Sequence, residues 1–228
     1  SFSSYAVRPD QYGISDSRSG NSITFTLNDN NKGKVIVEFD NDYNKSLFLF
    51  ADPPKPSVPN GARYIGPGYH KGHIYVGSNE TVYLDAGAIV EGDINMHDVS
   101  NARVIGRGWY LGSLWVERTS NCEVSGVHGG MLGKWTVNIK DSSYFTINHL
   151  KLLYLGNETD GISFNGSGNC TAKNSFIMNY DDVFTSQRPG CKDNLTENIV
   201  VWSTGGGNIF GPGGTEDIGG NNVYRNIY

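Results

Sequence analysis

Apolar and polar positions alternate along the first part of the chain, as in Ser22-Ile-Thr-Phe-Thr-Leu27 and Lys34-Val-Ile-Val-Glu-Phe39, and the wholly apolar run Leu47-Phe-Leu-Phe50 follows. A period of two places one side of a strand on a core and the other in solvent. Asn, Asp and Gly clusters between the runs supply turns, so residues 1–52 read as an antiparallel β region. Asp52-Pro-Pro-Lys-Pro56 then breaks the pattern and starts a linker, because proline cannot donate to a strand ladder.

From residue 61 the pattern changes. Short β-rich runs recur at Val82-Tyr-Leu84, Val104-Ile-Gly106, Cys122-Glu-Val124, Phe145-Thr-Ile-Asn148, Cys170-Thr-Ala-Lys173 and Asn198-Ile-Val-Val201, spaced about 20 to 28 residues apart. Further strands, such as Thr136-Val-Asn-Ile-Lys140 and Gly161-Ile-Ser-Phe-Asn-Gly166, fall between them, and no helical period of useful length intervenes. This is the signature of a solenoid in which each rung buries its inward side chains on the next, with strands ~4.8 Å apart. The expected fold is all-β: part of an antiparallel β-sandwich with its linker over residues 1–60, then a right-handed parallel β-helix over residues 61–228. The strands before the linker make half a sandwich, and no capping element follows Asn226-Ile-Tyr228, so the expectation is a piece of a longer protein.

Composition narrows the function. The 228 residues are 37% hydrophobic, include 30 glycines and carry a net charge of −5, which argues against a nucleic-acid partner and gives no support for a strongly anionic substrate. No apolar run approaches the ~20 residues of a membrane span, so no membrane partner is expected. Six Asn-x-Ser/Thr sequons, at Asn44, Asn79, Asn157, Asn165, Asn169 and Asn194, point to a secreted, extracellular protein. The cysteines, Cys122, Cys170 and Cys191, are odd in number. Cys170 and Cys191 lie about one repeat apart and either bridge neighbouring rungs or remain buried thiols. No Cys/His cluster suggests zinc, and neither metal nor cofactor is expected.

The chemistry concentrates between residues 158 and 182. Asp160 stands in Glu158-Thr159-Asp160-Gly161, and Asp181-Asp182 in Asn179-Tyr180-Asp181-Asp182-Val183. Like charges brought together repel and raise one another's pKa, so packing alone has no use for the cluster. Glycoside hydrolysis does, because it takes one carboxylic acid and one carboxylate. An Asx turn ladder and a calcium site are the competing readings of the bare pattern. On a period of 21 residues, Asp160 is expected beside Asp181 on stacked strands. Asp182 then reaches the same cleft only if the chain bends near residue 181, since adjacent strand residues point to opposite faces.

These residues carry a family resemblance. Thr159-Asp160-Gly161 followed by Asp181-Asp182 resembles the signature of polygalacturonases, glycoside hydrolase family 28. Gly66-Pro-Gly-Tyr-His-Lys-Gly72 with Thr81-Val-Tyr-Leu-Asp-Ala-Gly-Ala-Ile-Val-Glu-Gly92 resembles the start of the β-helix in the related dextranases and isopullulanases of family 49, where a β-sandwich precedes it. The next rung, Thr204-Gly-Gly-Gly-Asn-Ile-Phe-Gly211, lacks the histidine of polygalacturonases. The resemblance therefore leans to the dextranase-like side and an α-glucan, with a pectin hydrolase as the alternative. It implies a secreted, inverting O-glycosyl hydrolase acting within a polysaccharide, with Asp181 as general acid and Asp160 and Asp182 activating water. Stacked rungs alone, setting carboxylates roughly 5 Å apart, would instead read as a retaining enzyme.

Around the acids, Trp135 is a candidate to stack on a sugar ring, Lys134 to meet a hydroxyl, Gln187 and Arg188 to line the cleft, and Asn208 to stand in the rung after the acids. His128 reads better as a turn residue, and Trp202 is equally open to stacking or packing. Gly205-Gly206-Gly207 is no phosphate loop, since neither lysine nor helix follows. Two other functions share this fold: a carbohydrate-binding β-helix without activity, and a calcium-dependent lyase, for which Arg188 is the one basic residue near the acids.

Overall fold

The computed structural model describes residues 1–27, 33–132, 135–213 and 220–228. The protein is nearly all β and has a parallel β-solenoid of about six turns. The chain divides into two compact units, one made essentially of Ser1–Pro54 and one of Lys55–Ile227. In the first, the strands Tyr5–Arg8, Lys34–Phe39 and Asp42–Phe50 form an antiparallel sheet, and Asp16–Ser19 pairs with Ser22–Phe25 as a hairpin. Val35, Ile36 and Val37 are buried there.

The second unit is the solenoid, and three ladders of parallel strands make its walls. One ladder runs from Arg63–Ile65 to Thr171–Lys173, and a second from Gly68–Lys71 to Phe176–Asn179; the long strand Leu195–Ser203 joins both. The third, a separate sheet, holds Ile74–Tyr75, Ile94–His97, Leu114–Glu117, Val137–Lys140, Ile162–Asn165, Phe184–Gln187 and Phe210–Gly213. Inward residues stack in register between rungs: Val82, Val104, Val124, Ile147 and Ala172 form one such column, all fully buried. Burying each large aliphatic side chain contributes roughly 1.5–3 kcal/mol, so the columns hold the rungs together.

The corners use asparagine. Asn79, Asn101, Asn121 and Asn169 adopt left-handed φ values of 62°, 55°, 54° and 57°, a region Asn tolerates better than other residues with a side chain. Asn148, Asn174, Asn198 and Asn226 form an amide ladder up a second corner, with bonds of 3.0, 3.4 and 2.9 Å. The Asx turn ladder considered for the aspartates is thus present, but it is built from these asparagines and from corner aspartates such as Asp193, which accepts a bond from Asn221. None of Asp160, Asp181 and Asp182 has a positive φ.

Of the two fates open to Cys170 and Cys191, the structure takes the buried thiol. Cys170 and Cys191 do not bridge; all three cysteines are free and buried. The Cys191 Sγ–H donates to the Phe164 carbonyl at 2.6 Å, so it behaves as a small core residue. The rungs are not of constant length. In the third sheet, partner positions Ile74, Ile94, Leu114, Val137, Ile162, Phe184 and Phe210 lie 20, 20, 23, 25, 22 and 26 residues apart.

Candidate active site

That irregular period decides which acids are neighbours. Ile162 pairs with Phe184, an offset of 22, so Asp160 lies level with Asp182 and not with Asp181. The expectation that Asp160 and Asp181 stand side by side assumed a period of 21 and is wrong by one residue. Following the same registers two residues back from each strand start puts Trp135, Asp160, Asp182 and Asn208 at one level. Backbone bonds support it: Thr136 N–H donates to the Asp160 carbonyl, Gly161 N–H to that of Asp182, and Val183 N–H to that of Asn208.

Asp181 and Asp182 sit where the chain turns from Phe176–Asn179 into Phe184–Gln187, so neither lies within a flat strand. Buried groups hold this corner. Asn179 is fully buried, and its Nδ2 donates to the Asp181 carbonyl at 2.7 Å and to that of Asp182 at 3.1 Å. Thr159, also fully buried, accepts the Tyr180 N–H at 2.8 Å and donates to the Gly156 carbonyl at 3.0 Å. It thereby ties the strand end carrying Asp160 to the corner carrying the pair. Thr136 Oγ1 donates to the Asp160 carbonyl at 2.7 Å from the rung below.

The next rung comes close because it is glycine. A Cβ on Gly207 would lie 2.0 Å from the Asp181 carbonyl carbon, and one on Gly205 2.0 Å from the Tyr180 oxygen. A Cβ on Gly211 would meet Asp182 Oδ2 at 2.5 Å. Gly205 and Gly207 therefore pack against the corner that carries the acids, a role hidden in the sequence because their partners lie in the rung before.

The carboxylates differ in surroundings. Asp182 Oδ1 accepts two bonds from Asn208, from its backbone N–H at 2.6 Å and from Nδ2 at 3.1 Å. Asp181 Oδ1 accepts the Asp182 N–H at 2.9 Å. Asp160 has no such donor in the described structure; burial first, then the charges of Asp181 and Asp182, raise its pKa from 3.8 to about 6. Both causes disfavour its ionised form. The carboxylates thus act on one another, and the group binds a proton in the range where enzymes use acids and bases.

No protein-family model matches the chain, and no curated protein matches it. A solved structure described as that of a "putative glycosyl hydrolase" from Parabacteroides merdae is similar in shape, with a TM-score of 0.41 and 11% identity over 64% of this chain and 81% of that one. At that distance the likeness bears on neither substrate nor mechanism.

Beside the acids, the outer face of the same sheet holds a cavity of about 280 Å³. Trp135, which shares a level with Asp160, is part of its wall, and Gln187 and Arg188 line its far side; the aspartates themselves do not line it. Its other aromatic wall is Trp115, whose ring centroid lies 6.2 Å from that of Trp135, and the sequence reading missed it. Lys134 lies outside the described residues. His128 lies in the strand His128–Leu132 of the second ladder, packed edge-on to Trp109, and Trp202 lies in Leu195–Ser203; neither belongs to the sheet bearing the acids.

Proposed function

We propose that the chain is a carbohydrate-active β-helix hydrolase that cleaves glycosidic bonds at the Asp160, Asp181 and Asp182 cluster. One observation carries this reading: three carboxylates from two rungs meet at one corner, and their proximity, with burial, lifts Asp160 to about 6. A glycosidase can use such a set: a base that binds its proton near pH 6 takes one from the attacking water, while another carboxyl serves the leaving group.

The registers favour particular roles. Asp160 and Asp182 occupy one level on adjacent strands, roughly 5 Å apart along the stack, and suit a water held between them. Asp181, whose charge raises the Asp160 pKa more than that of Asp182 does, is given the leaving group by the resemblance. In this scheme the Asp181 carboxyl gives its proton to the glycosidic oxygen as the C–O bond breaks. Water attacks the anomeric carbon from the opposite face and passes a proton to the Asp160/Asp182 pair. That course inverts configuration.

The acidic net charge and the resemblance to dextranases favour a secreted enzyme acting within an α-glucan, and a pectin hydrolase is the alternative. The test is a reducing-sugar assay on dextran, pullulan and polygalacturonate, with proton NMR of the first product. Asp181→Asn is expected to lower kcat by about 10²–10⁴-fold, the range of a lost general acid. Hydrolysis untouched by Asp181→Asn would remove the acids from the mechanism, and a first product of retained configuration would reverse the stereochemical assignment.

A further inference from the structure

The cavity beside the acids has an unmet demand of its own. Asn165 is 5% exposed and lies on the cavity wall; its Nδ2 donates to Asn138 Oδ1 at 2.8 Å. Its Oδ1 is buried and accepts no hydrogen bond from any described residue. A buried acceptor left unpaired is destabilising, so a ligand that donates to it recovers that loss.

The charges around the cavity are already matched. Lys140 Nζ lies 2.7 Å from Glu117, His97 Nδ1 lies 3.5 Å from the same carboxylate, and Arg188 lies 3.9 Å from Asp141. The Lys140 hydrogen bond holds Glu117 below its ordinary pKa, so that carboxylate is ionised and answers the lysine. What the wall lacks is a neutral donor, not a counter-charge. Trp115 and Trp135, with rings tilted by 42°, add apolar faces from adjacent rungs. The electron-rich face of an aromatic ring suits the polarised C–H groups on the flat side of a sugar. The volume, about 280 Å³, lies just below the roughly 300–1,000 Å³ of pockets for whole drug-sized ligands, enough for a ring or two of a longer chain.

We infer that this cavity is a subsite for a neutral, hydroxyl-rich sugar ring, stacked on Trp115 and Trp135 with a hydroxyl donating to Asn165 Oδ1. The inference rests on the hydrolase reading for its place next to the cleavage point, and it narrows the substrate to an uncharged glycan. Asn165 belongs to a sequon, but its burial reserves the side chain for the cavity.

The test uses the full chain carrying Asp181→Asn, titrated by tryptophan fluorescence and calorimetry with short neutral gluco-, galacto-, manno-, xylo- and rhamno-oligosaccharides at millimolar concentration. Galacturonate and glucuronate oligomers form the second arm. A neutral oligomer is expected to bind and perturb the fluorescence, and Trp115→Ala and Asn165→Leu are each expected to weaken it about tenfold or more. Where Trp115→Ala loses its thermal transition, Trp115→Phe and Asn165→Leu carry the comparison. Binding by uronate oligomers alone, by no member of the panel, or by neutral sugars at unchanged affinity in these variants overturns the subsite. A neutral sugar that binds through Trp115 and Asn165 but is never cleaved by the wild type leaves the subsite standing and removes the hydrolase reading. Cleavage abolished by Asp181→Asn but with KM indifferent to Trp115 and Asn165 does the reverse.

Discussion

A carboxyl partly withdrawn from water and facing two others is a poor choice for stability, and Asp160 allows that conflict to be measured. Its folded pKa, about 6, lies above the ordinary 3.8. The folded state therefore binds this proton more tightly than the unfolded chain, and the site's contribution to stability falls as pH rises from about 4 to about 6, with the full penalty above that. Asp160→Asn removes the titration. The variant is expected to gain about 1–2 kcal/mol over the wild type at pH 7.5, a figure reduced for the partial exposure of the group. The gain should shrink toward pH 4, as read from urea melts at both pH values; a gain that grows in acid would show that Asp160 carries no such penalty. The same group sets the direction of the activity profile. If Asp160 must be ionised to hold water, kcat/KM falls as pH drops through about 6. A fall as pH rises through the same value would make Asp160 the proton donor and exchange its role with that of Asp181.

The strands explain why some of the site is legible in the sequence and some is not. Alternation and recurring β runs announce the solenoid because each rung must bury its own inward side chains. The acids announce themselves because no packing argument wants them. The pairing of Asp160 with Asp182 does not, since it depends on an offset of 22 in a sheet whose offsets run from 20 to 26. Loops between strands set those offsets, and no local pattern counts them. Asn208 and Gly211 are hidden for the same reason: each acts on Asp182 from the following rung. Trp115 is missed because the register pairs it with Asn138, and its ring meets that of Trp135 only across the face of the folded sheet. The strand Phe210–Gly213 offers a test of this cross-rung support. Gly211→Ala would press a methyl group against Asp182 Oδ2, which lies 2.5 Å from the ideal Cβ position. A displacement of about 1 Å in a reacting group can cost about 10²-fold in rate. Gly211→Ala is therefore expected to lower kcat by roughly that factor with an unchanged circular dichroism spectrum. Asn208→Ala, which removes one exposed donor but keeps the backbone bond, should cost closer to tenfold, the low end for a bond to a charged group. Full activity in Gly211→Ala would mean that the Asp182 carboxylate works in another position.

At the scale of the molecule, the solenoid couples each rung to its neighbours and to little else, so position along the stack should matter more than the size of a defect. The third sheet provides a matched pair. Ile94 and Ile162 open their strands, face inward and are fully buried; Ile94 stacks between Ile74 and Leu114, and Ile162 between Val137 and Phe184. Each Ile→Val change removes one methylene and should cost about 0.5–1.5 kcal/mol. In a globular core with dense cross-contacts, both would be felt throughout. In a one-dimensional stack, stability is nearly a sum of rung and neighbour-interface terms. Ile162→Val should then speed amide exchange at Gly161 and Val183, whose N–H groups bond to Asp182 and Asn208, and lower kcat/KM. Ile94→Val, more than two rungs away, should soften exchange around its own strand and leave the three acids and the rate alone. Equal effects of the two substitutions on the active-site amides would show that the rungs act as one cooperative block, and that the precision of the acid corner is set by the whole stack.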